Sequence, residues 1–311
     1  MKKFDYYYAY GVGKVLNASE RVFNCVLPLN DKRLTKKLNI PYGKEKLQKL
    51  DLIYKTEHSA KKRPILFYLH GGGFISGTTV MRRHYCCEMA NAGYFVVNLA
   101  YRLAPEIVFP ESLRDIYKAI DYVLDRCSEY NLDKNQIVFA GESAGAYLAS
   151  YVAVMCKDKS LYLKNNIDFQ RINDFNVSAT VLINGIYSVQ DVVDSKAPFC
   201  NLYIKAFFGL DKSELHNKKL ADNNLFNPLL FMNSNFPPTI VIRGNHDMYD
   251  LGTQNLIEHL EKNNAEHVVY NVKGIAGMHA VSIIKISKEA KLSQKFTMEK
   301  LKEYLSNQQN V

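Results

Sequence analysis

The chain has 311 residues, 47% hydrophobic and 23% charged, with a mean hydropathy of −0.21. That composition excludes a disordered chain, a collagen repeat and a coiled coil, and the length suits one large α/β domain or two small ones. The net charge of +9 sits in residues 1–63, which hold fifteen basic and six acidic side chains, whereas residues 64–311 hold twenty-five of each. A lysine-rich solvated face is the expected reading of that segment, with attraction to an anionic partner as the alternative.

Met1 to Tyr8 carries the charges of a signal-peptide start, but no apolar run follows and Asp5 interrupts what there is. No stretch approaches the ~20 apolar residues of a membrane-spanning helix. The six cysteines, Cys25, Cys86, Cys87, Cys127, Cys156 and Cys200, form no C-x-x-C pair and no cluster with histidine. These features predict a cytoplasmic protein with reduced thiols, no metal site, no nucleic-acid partner and no stable membrane insertion. Residues 1–42 read as one or two short helices forming an N-terminal cap segment ahead of a catalytic domain over residues 43–311.

Apolar runs rich in β-formers follow at Ile65–Leu69, Tyr94–Val97, Ile137–Ala140, Thr180–Ile183, Thr239–Ile242 and Val268–Tyr270. Most are succeeded by a helical pattern, and their apolarity is continuous rather than alternating. That predicts an α/β fold, a mostly parallel central sheet with helices on both faces. Residues 189–235 break the alternation as a long insertion, which together with residues 1–42 is expected to lid one end of the sheet. Ser287–Leu305, with Phe296, Leu301 and Leu305 among lysines and glutamates, reads as an amphipathic surface helix.

Two motifs stand at strand ends. His70-Gly71-Gly72-Gly73-Phe74 closes the first run, and Gly141-Glu142-Ser143-Ala144-Gly145 joins the third to an apolar helix at Ala146–Met155. G-x-S-x-G in a strand–turn–helix context forces the serine out above the sheet, and the flanking glycines let strand and helix approach. The triple glycine could cradle a phosphate, but no Lys-Ser/Thr follows and no G-x-G-x-x-G is present. Peptide N–H groups aimed at a developing oxyanion account for it better. A serine nucleophile needs a base, and the base an acid, on loops at the carboxyl ends of strands. The last two strands run into Arg243-Gly244-Asn245-His246-Asp247-Met248-Tyr249-Asp250 and Gly277-Met278-His279-Ala280. Of eight histidines, His84, His216, His259 and His267 read as solvated or capping groups, and His58 precedes the core. His70 belongs to the glycine loop and His246 is too close to Asp247 in sequence to face it. His279 remains as the base.

These pieces, with Tyr101-Arg102-Leu103-Ala104-Pro105-Glu106, Asn227-Pro228-Leu229 and Pro237-Pro238, resemble the hormone-sensitive-lipase-like carboxylesterases of the α/β-hydrolase superfamily over about residues 60–285. The resemblance implies an α/β-hydrolase fold with a helical cap, a triad of Ser143, Asp247 and His279, and an oxyanion hole from Gly72, Gly73 and Ala144. It implies a small-molecule ester substrate of short to medium acyl length and no cofactor; a homodimer is an open possibility. The acid loop lacks the family's usual proline, so Asp250 competes with Asp247. Glu142 stands where aspartate is commoner, and Ala280 follows the histidine where glycine is usual. Tyr7, Phe23, Phe199, Tyr203 and Phe207 either line the acyl site or anchor the cap. Carbohydrate deacetylation, amide cleavage and a non-catalytic ligand-binding role on the same scaffold are the alternatives. The last should have shed a triad member.

Overall fold

All six apolar runs are strands of one sheet in the computed structural model, which describes residues 3–25, 31–57, 60–195, 197–210, 224–285 and 287–307. The strands are β1 (Leu34–Pro41), β2 (Lys49–Lys55), β3 (Arg63–Leu69), β4 (Phe95–Leu99), β5 (Leu132–Glu142), β6 (Val177–Ile183), β7 (Thr239–Gly244) and β8 (His267–Val272). Their spatial order is β1-β2-β4-β3-β5-β6-β7-β8, parallel from β4 to β8, with β1 and β2 antiparallel at one edge.

The helices are α1 (Lys3–Cys25), α2 (Arg83–Asn91), α3 (Glu111–Leu124), the short α4 (Cys127–Tyr130), α5 (Ala144–Lys157), the short α6 (Ser160–Lys164), α7 (Val189–Asp194) and α8 (Cys200–Tyr203), then α9 (Asp250–Lys262) and α10 (Lys288–Asn307). Alternate residues of each central strand feed two cores. Ile65, Phe67 and Leu69 of β3 pack with α3, α5 and α9, while Leu66 and Tyr68 pack with α2 and α10. Burial on both faces is why these strands read as unbroken apolar runs. Helix α10 buries Leu301 and Leu305, as its pattern predicted.

The first segment departs from expectation. Helix α1 is present, but residues 34–41 are the edge strand β1 rather than helix, so helical structure does not extend to residue 42. Lysines on an exposed edge strand look in sequence like any solvated face, and they serve here to keep the edge from pairing with another chain. A bulge between Lys37 and Ile40 places Asn39 at φ +56°, where its N–H donates to Asp51 Oδ1 at 2.8 Å.

Helix α1 and the insertion both lie at the carboxyl end of the parallel strands. In α1, Asn17 Oδ1 accepts the N–H of Gly77 at 2.7 Å, and Gly13 sits so close to the Ile75 carbonyl that a Cβ would fall 2.2 Å from its oxygen. Asp5 pairs with Lys205 of the insertion at 2.7 Å. The described part of the insertion is anchored by Phe207, stacked on Phe74 at 4.1 Å, and by Phe208, packed against Tyr147 and Phe109. Full burial of each such ring contributes roughly 1.5–3 kcal/mol. Among the described residues, no helix is long and apolar enough to cross a membrane.

Candidate active site

Ser143 stands between β5 and α5 at φ +53° and ψ −121°, a backbone conformation that costs a non-glycine residue about 1–3 kcal/mol. The surroundings over-determine it. Its N–H donates to the Ile183 carbonyl at 3.0 Å, and its own carbonyl accepts from Ala146 and Tyr147. A Cβ on Gly145 would fall 2.0 Å from the Leu69 carbonyl oxygen, and one on Gly141 would fall 2.5 Å from Gly145. Both glycines are therefore required by close approach of backbone.

His279 Nε2 lies 2.9 Å from Ser143 Oγ, and His279 Nδ1 lies 2.7 Å from Asp247 Oδ1. Asp247 is fully buried at its side chain and takes two further donors, Tyr249 N–H on Oδ1 at 2.9 Å and Asn184 Nδ2 on Oδ2 at 2.8 Å. An ionised acceptor at Nδ1 fixes the proton there, leaving the Nε2 lone pair to face the serine hydroxyl. Asp250, the competing acid, instead holds Arg243 through both oxygens, at 2.7 and 2.6 Å. The two loops are stitched together, with His246 N–H donating to the Gly277 carbonyl and Asn245 N–H to the Val272 carbonyl, each at 3.0 Å. Gly244 and Gly277 let them touch: a Cβ on Gly244 would lie 2.2 Å from the Gly277 carbonyl oxygen.

The glycine loop turns back on itself beside the serine. Gly72 has φ +112° and Gly73 φ +59°, and the Gly72 carbonyl accepts from Ser76 N–H and Oγ. Gly71 N–H is taken by Glu142 Oε1 at 2.8 Å. Among the described residues, no acceptor takes the N–H of Gly72, Gly73 or Ala144, the three groups assigned to an oxyanion. His70 supports the loop from below: Nδ1 donates to the Gly71 carbonyl at 2.8 Å and the ring stacks on Tyr101 at 4.4 Å. Tyr101 Oη in turn donates to the His70 carbonyl at 2.6 Å. Burial lowers the His70 pKa, so the imidazole is held neutral. The Tyr101–Glu106 segment thus buttresses the loop, with Ala104 N–H donating to the Phe74 carbonyl and Arg102 held by Asp115.

Several contributors were not legible beforehand. Asn184, at φ +47° on the end of β6, orients Asp247. Glu142 is buried and accepts from Tyr68 Oη, Gly71 N–H and Arg82 Nε at 2.5, 2.8 and 2.9 Å, tying the elbow to the glycine loop. Tyr249 packs its ring 4.8 Å from His279 and donates its hydroxyl to the Pro198 carbonyl of the insertion. Tyr203 covers the glycine loop, since a Cβ on Gly73 would lie 2.4 Å from its ring, and burial pushes its phenol up to about 12.

The remaining candidates divide. Phe207 is an anchor of the cap core, whereas Tyr7 and Phe199 are exposed and Tyr203 is half-buried at the loop. The side chain of Phe23 lies outside the described residues, as do His58 and His216. His84, His259 and His267 each bond a backbone carbonyl, of Ile283, Met232 and Ala265, and stand apart from the serine.

A family model described as BD-FAE matches residues 50–255, two thirds of the sequence. The chain belongs to the BD-FAE family. It is similar to acetyl esterases of Salmonella schwarzengrund (strain CVM19633) and Salmonella typhi, with 33% identity over 152 residues and 32% over 151. Those matches cover 49% and 48% of this chain and 42% of each relative, so the chain spans less than half the length of the curated relatives it matches. Among solved structures, an inhibited esterase B from Lactobacillus rhamnosis aligns over 99% of both chains with a TM-score of 0.84 and 18% identity. A bacterial heroin esterase aligns over 94% of this chain and 90% of its own with a TM-score of 0.75 and 19% identity. Both carry the fold of this BD-FAE chain, and the α/β-hydrolase resemblance read from its motifs is borne out.

Proposed function

We propose that the protein is a serine carboxylesterase that hydrolyses short- to medium-chain acyl esters through an acyl-enzyme. One observation carries the reading: the continuous chain from Ser143 Oγ through His279 to buried Asp247, with contacts of 2.9 and 2.7 Å. Ser143 Oγ attacks the ester carbonyl while its proton passes to His279 Nε2. The tetrahedral oxyanion takes the open N–H groups of Gly72, Gly73 and Ala144. Collapse breaks the bond to the alkoxy group, which leaves as an alcohol with the proton from Nε2. Water then attacks the acyl-serine, giving its proton to Nε2, and the second collapse returns that proton to Ser143 Oγ and frees the carboxylic acid. Asp247 holds the imidazole tautomer and stabilises the imidazolium formed in both halves.

Helix α1 and the insertion act as the cap, with Tyr203 and Tyr249 walling the acyl side of the serine. The similarity to the Salmonella acetyl esterases supports acetyl-sized acyl groups. The free state of Cys86, Cys87, Cys127, Cys156 and Cys200 supports a reducing, cytoplasmic setting. The test is a p-nitrophenyl ester series from acetate to palmitate, with Ser143→Ala as control. Acetate or butyrate should be preferred. Preference for palmitate would overturn the acyl-length assignment, and equal turnover by Ser143→Ala would overturn the nucleophile.

A further inference from the structure

Helix α1 uses only its narrow side against the protein. Ala9 and Gly13 are buried, and Asn17 reaches Gly77, but the opposite side leaves Phe4 77% and Val15 69% exposed, with Tyr7 and Tyr8 also open to solvent, while Tyr10 turns to the hollow it shares with Gly13 and Asn17. Five of the fourteen large apolar side chains exposed on the described surface therefore lie within twelve residues of one helix, four of them on that face. Scattered singly, such residues need no explanation; a helical face of them does. The face continues toward the site. Tyr8 and Phe199 line the same hollow, Phe199 packs 6.3 Å from Tyr203, and Tyr203 covers Gly73.

Lysines predominate among the charges around this face. Lys3 and Lys14 are exposed on α1, and Lys46 shares a surface hollow with Lys14 and Tyr10. The one acidic side chain described on the helix, Asp5, is paired to Lys205, and in that hollow Lys14, Lys46 and Arg102 outnumber Glu45 and Glu106. Apolar aromatic side chains flanked by lysines match the two layers of an anionic lipid surface, hydrocarbon boundary and phosphate headgroup.

We infer that the exposed face of α1, with Phe199, is a docking surface for an anionic lipid bilayer, holding the mouth of the active site against the layer from which lipid-dispersed esters are drawn. The inference rests on the esterase reading only for its purpose. Binding is peripheral, because the helix packs Ala9 on the core and remains clamped to Gly77, just past the glycine loop, through Asn17.

The experiment uses the full chain and vesicles of phosphatidylcholine with or without about 30% phosphatidylglycerol, read by co-sedimentation. Wild type should bind the anionic vesicles, bind neutral ones far less, and be released as salt rises from about 50 to about 300 mM. Lys3→Glu with Lys14→Glu should lower the partition coefficient by more than about 25-fold, since each lysine near such a surface is worth roughly fivefold. Phe4→Ser with Val15→Ser should lower it by about tenfold or more while hydrolysis of dissolved p-nitrophenyl acetate stays unchanged. Absence of binding to anionic vesicles, or binding indifferent to both variants, overturns the inference. So does a wild-type dimer in sedimentation velocity that Phe4→Ser with Val15→Ser dissociates, because a second copy would then own the face. Lack of hydrolysis of the dissolved ester with vesicle binding intact refutes the esterase reading and leaves the docking surface standing.

Discussion

Gly72→Ala separates an electrostatic role of the glycine loop from a merely structural one, provided the cost of the backbone is measured independently. At Gly72, φ is +112° and a Cβ would lie 2.4 Å from the Ser76 carbonyl oxygen and 2.5 Å from its Oγ. The turn from Gly72 to Ser76 must open, and the two free N–H groups of Gly72 and Gly73 move with it. Gly93 supplies the control: its φ is +109°, and nothing lies within 4 Å of where its Cβ would be. Both alanine variants carry a backbone penalty of about 1–3 kcal/mol. At roughly 2–4 °C per kcal/mol, each should lose several degrees of Tm. Only Gly72→Ala should lose catalysis, by about 10²–10³ in kcat for a displaced donor. The assay is kcat on p-nitrophenyl acetate per folded molecule, with the folded fraction read by circular dichroism. A Gly72→Ala protein that loses Tm as Gly93→Ala does and keeps kcat within a few-fold would refute the oxyanion assignment.

Ser143→Ala should cost on the order of 10⁶ in kcat, and adding His279→Ala should cost little more, because the triad acts as a unit; additive losses in the double variant would deny that. Asp247→Asn should reduce kcat by about 10³–10⁴, whereas Asp250→Asn, which only loosens the pair with Arg243, should leave it within a few-fold; the reverse order would move the acid to residue 250. Asn17→Ala leaves the Gly77 N–H without its acceptor and should lower kcat about tenfold with little change in KM. Asn17→Asp, which keeps an acceptor, should restore most of it. Burial lowers the His84 pKa to about 4 from 6.5. The unfolded chain therefore takes up a proton that the folded one refuses, so His84 costs no stability above about pH 6.5 and its penalty grows as pH falls from there toward 4, at no more than about 1.4 kcal/mol per pH unit. His84→Gln should flatten the fall of Tm in that window.

What the sequence made legible was what backbone chemistry alone dictates. Strands buried on both faces are continuous apolar runs, and Gly141, Gly145 and the triple glycine are demanded by approaches of 2 to 3 Å that any Cβ would block. Strand β1 stayed hidden because an edge strand defends itself with the lysines that a solvated helix also carries. Tyr203 and Phe207 are equally aromatic in sequence; only packing shows that one lies over Gly73 and the other against Phe74. The resemblance pointed to Asp247 over Asp250, but the physical reason, Arg243 claiming both oxygens of Asp250, shows only in the structure.

Asn184 shows how far the strand order governs the rest. β6 lies between β5 and β7, so whatever residue ends β6 must stand between the elbow that carries Ser143 and the loop that carries Asp247. At that place a left-handed turn is required, and asparagine tolerates it while offering an amide. Its N–H donates to the Ile242 carbonyl, its Nδ2 to Asp247, and the Ile183 carbonyl just before it accepts Ser143 N–H. One strand end therefore sets the backbone of Ser143 and the rotamer of Asp247 together. The glycine loop joins the same frame from the other side, because β3 neighbours β5 and Glu142 takes Gly71 N–H across the gap. Ser143, Asp247 and the proposed oxyanion donors are thus held in mutual position by four adjacent strand ends, those of β3, β5, β6 and β7, and on the proposed reading the cap need supply only the walls.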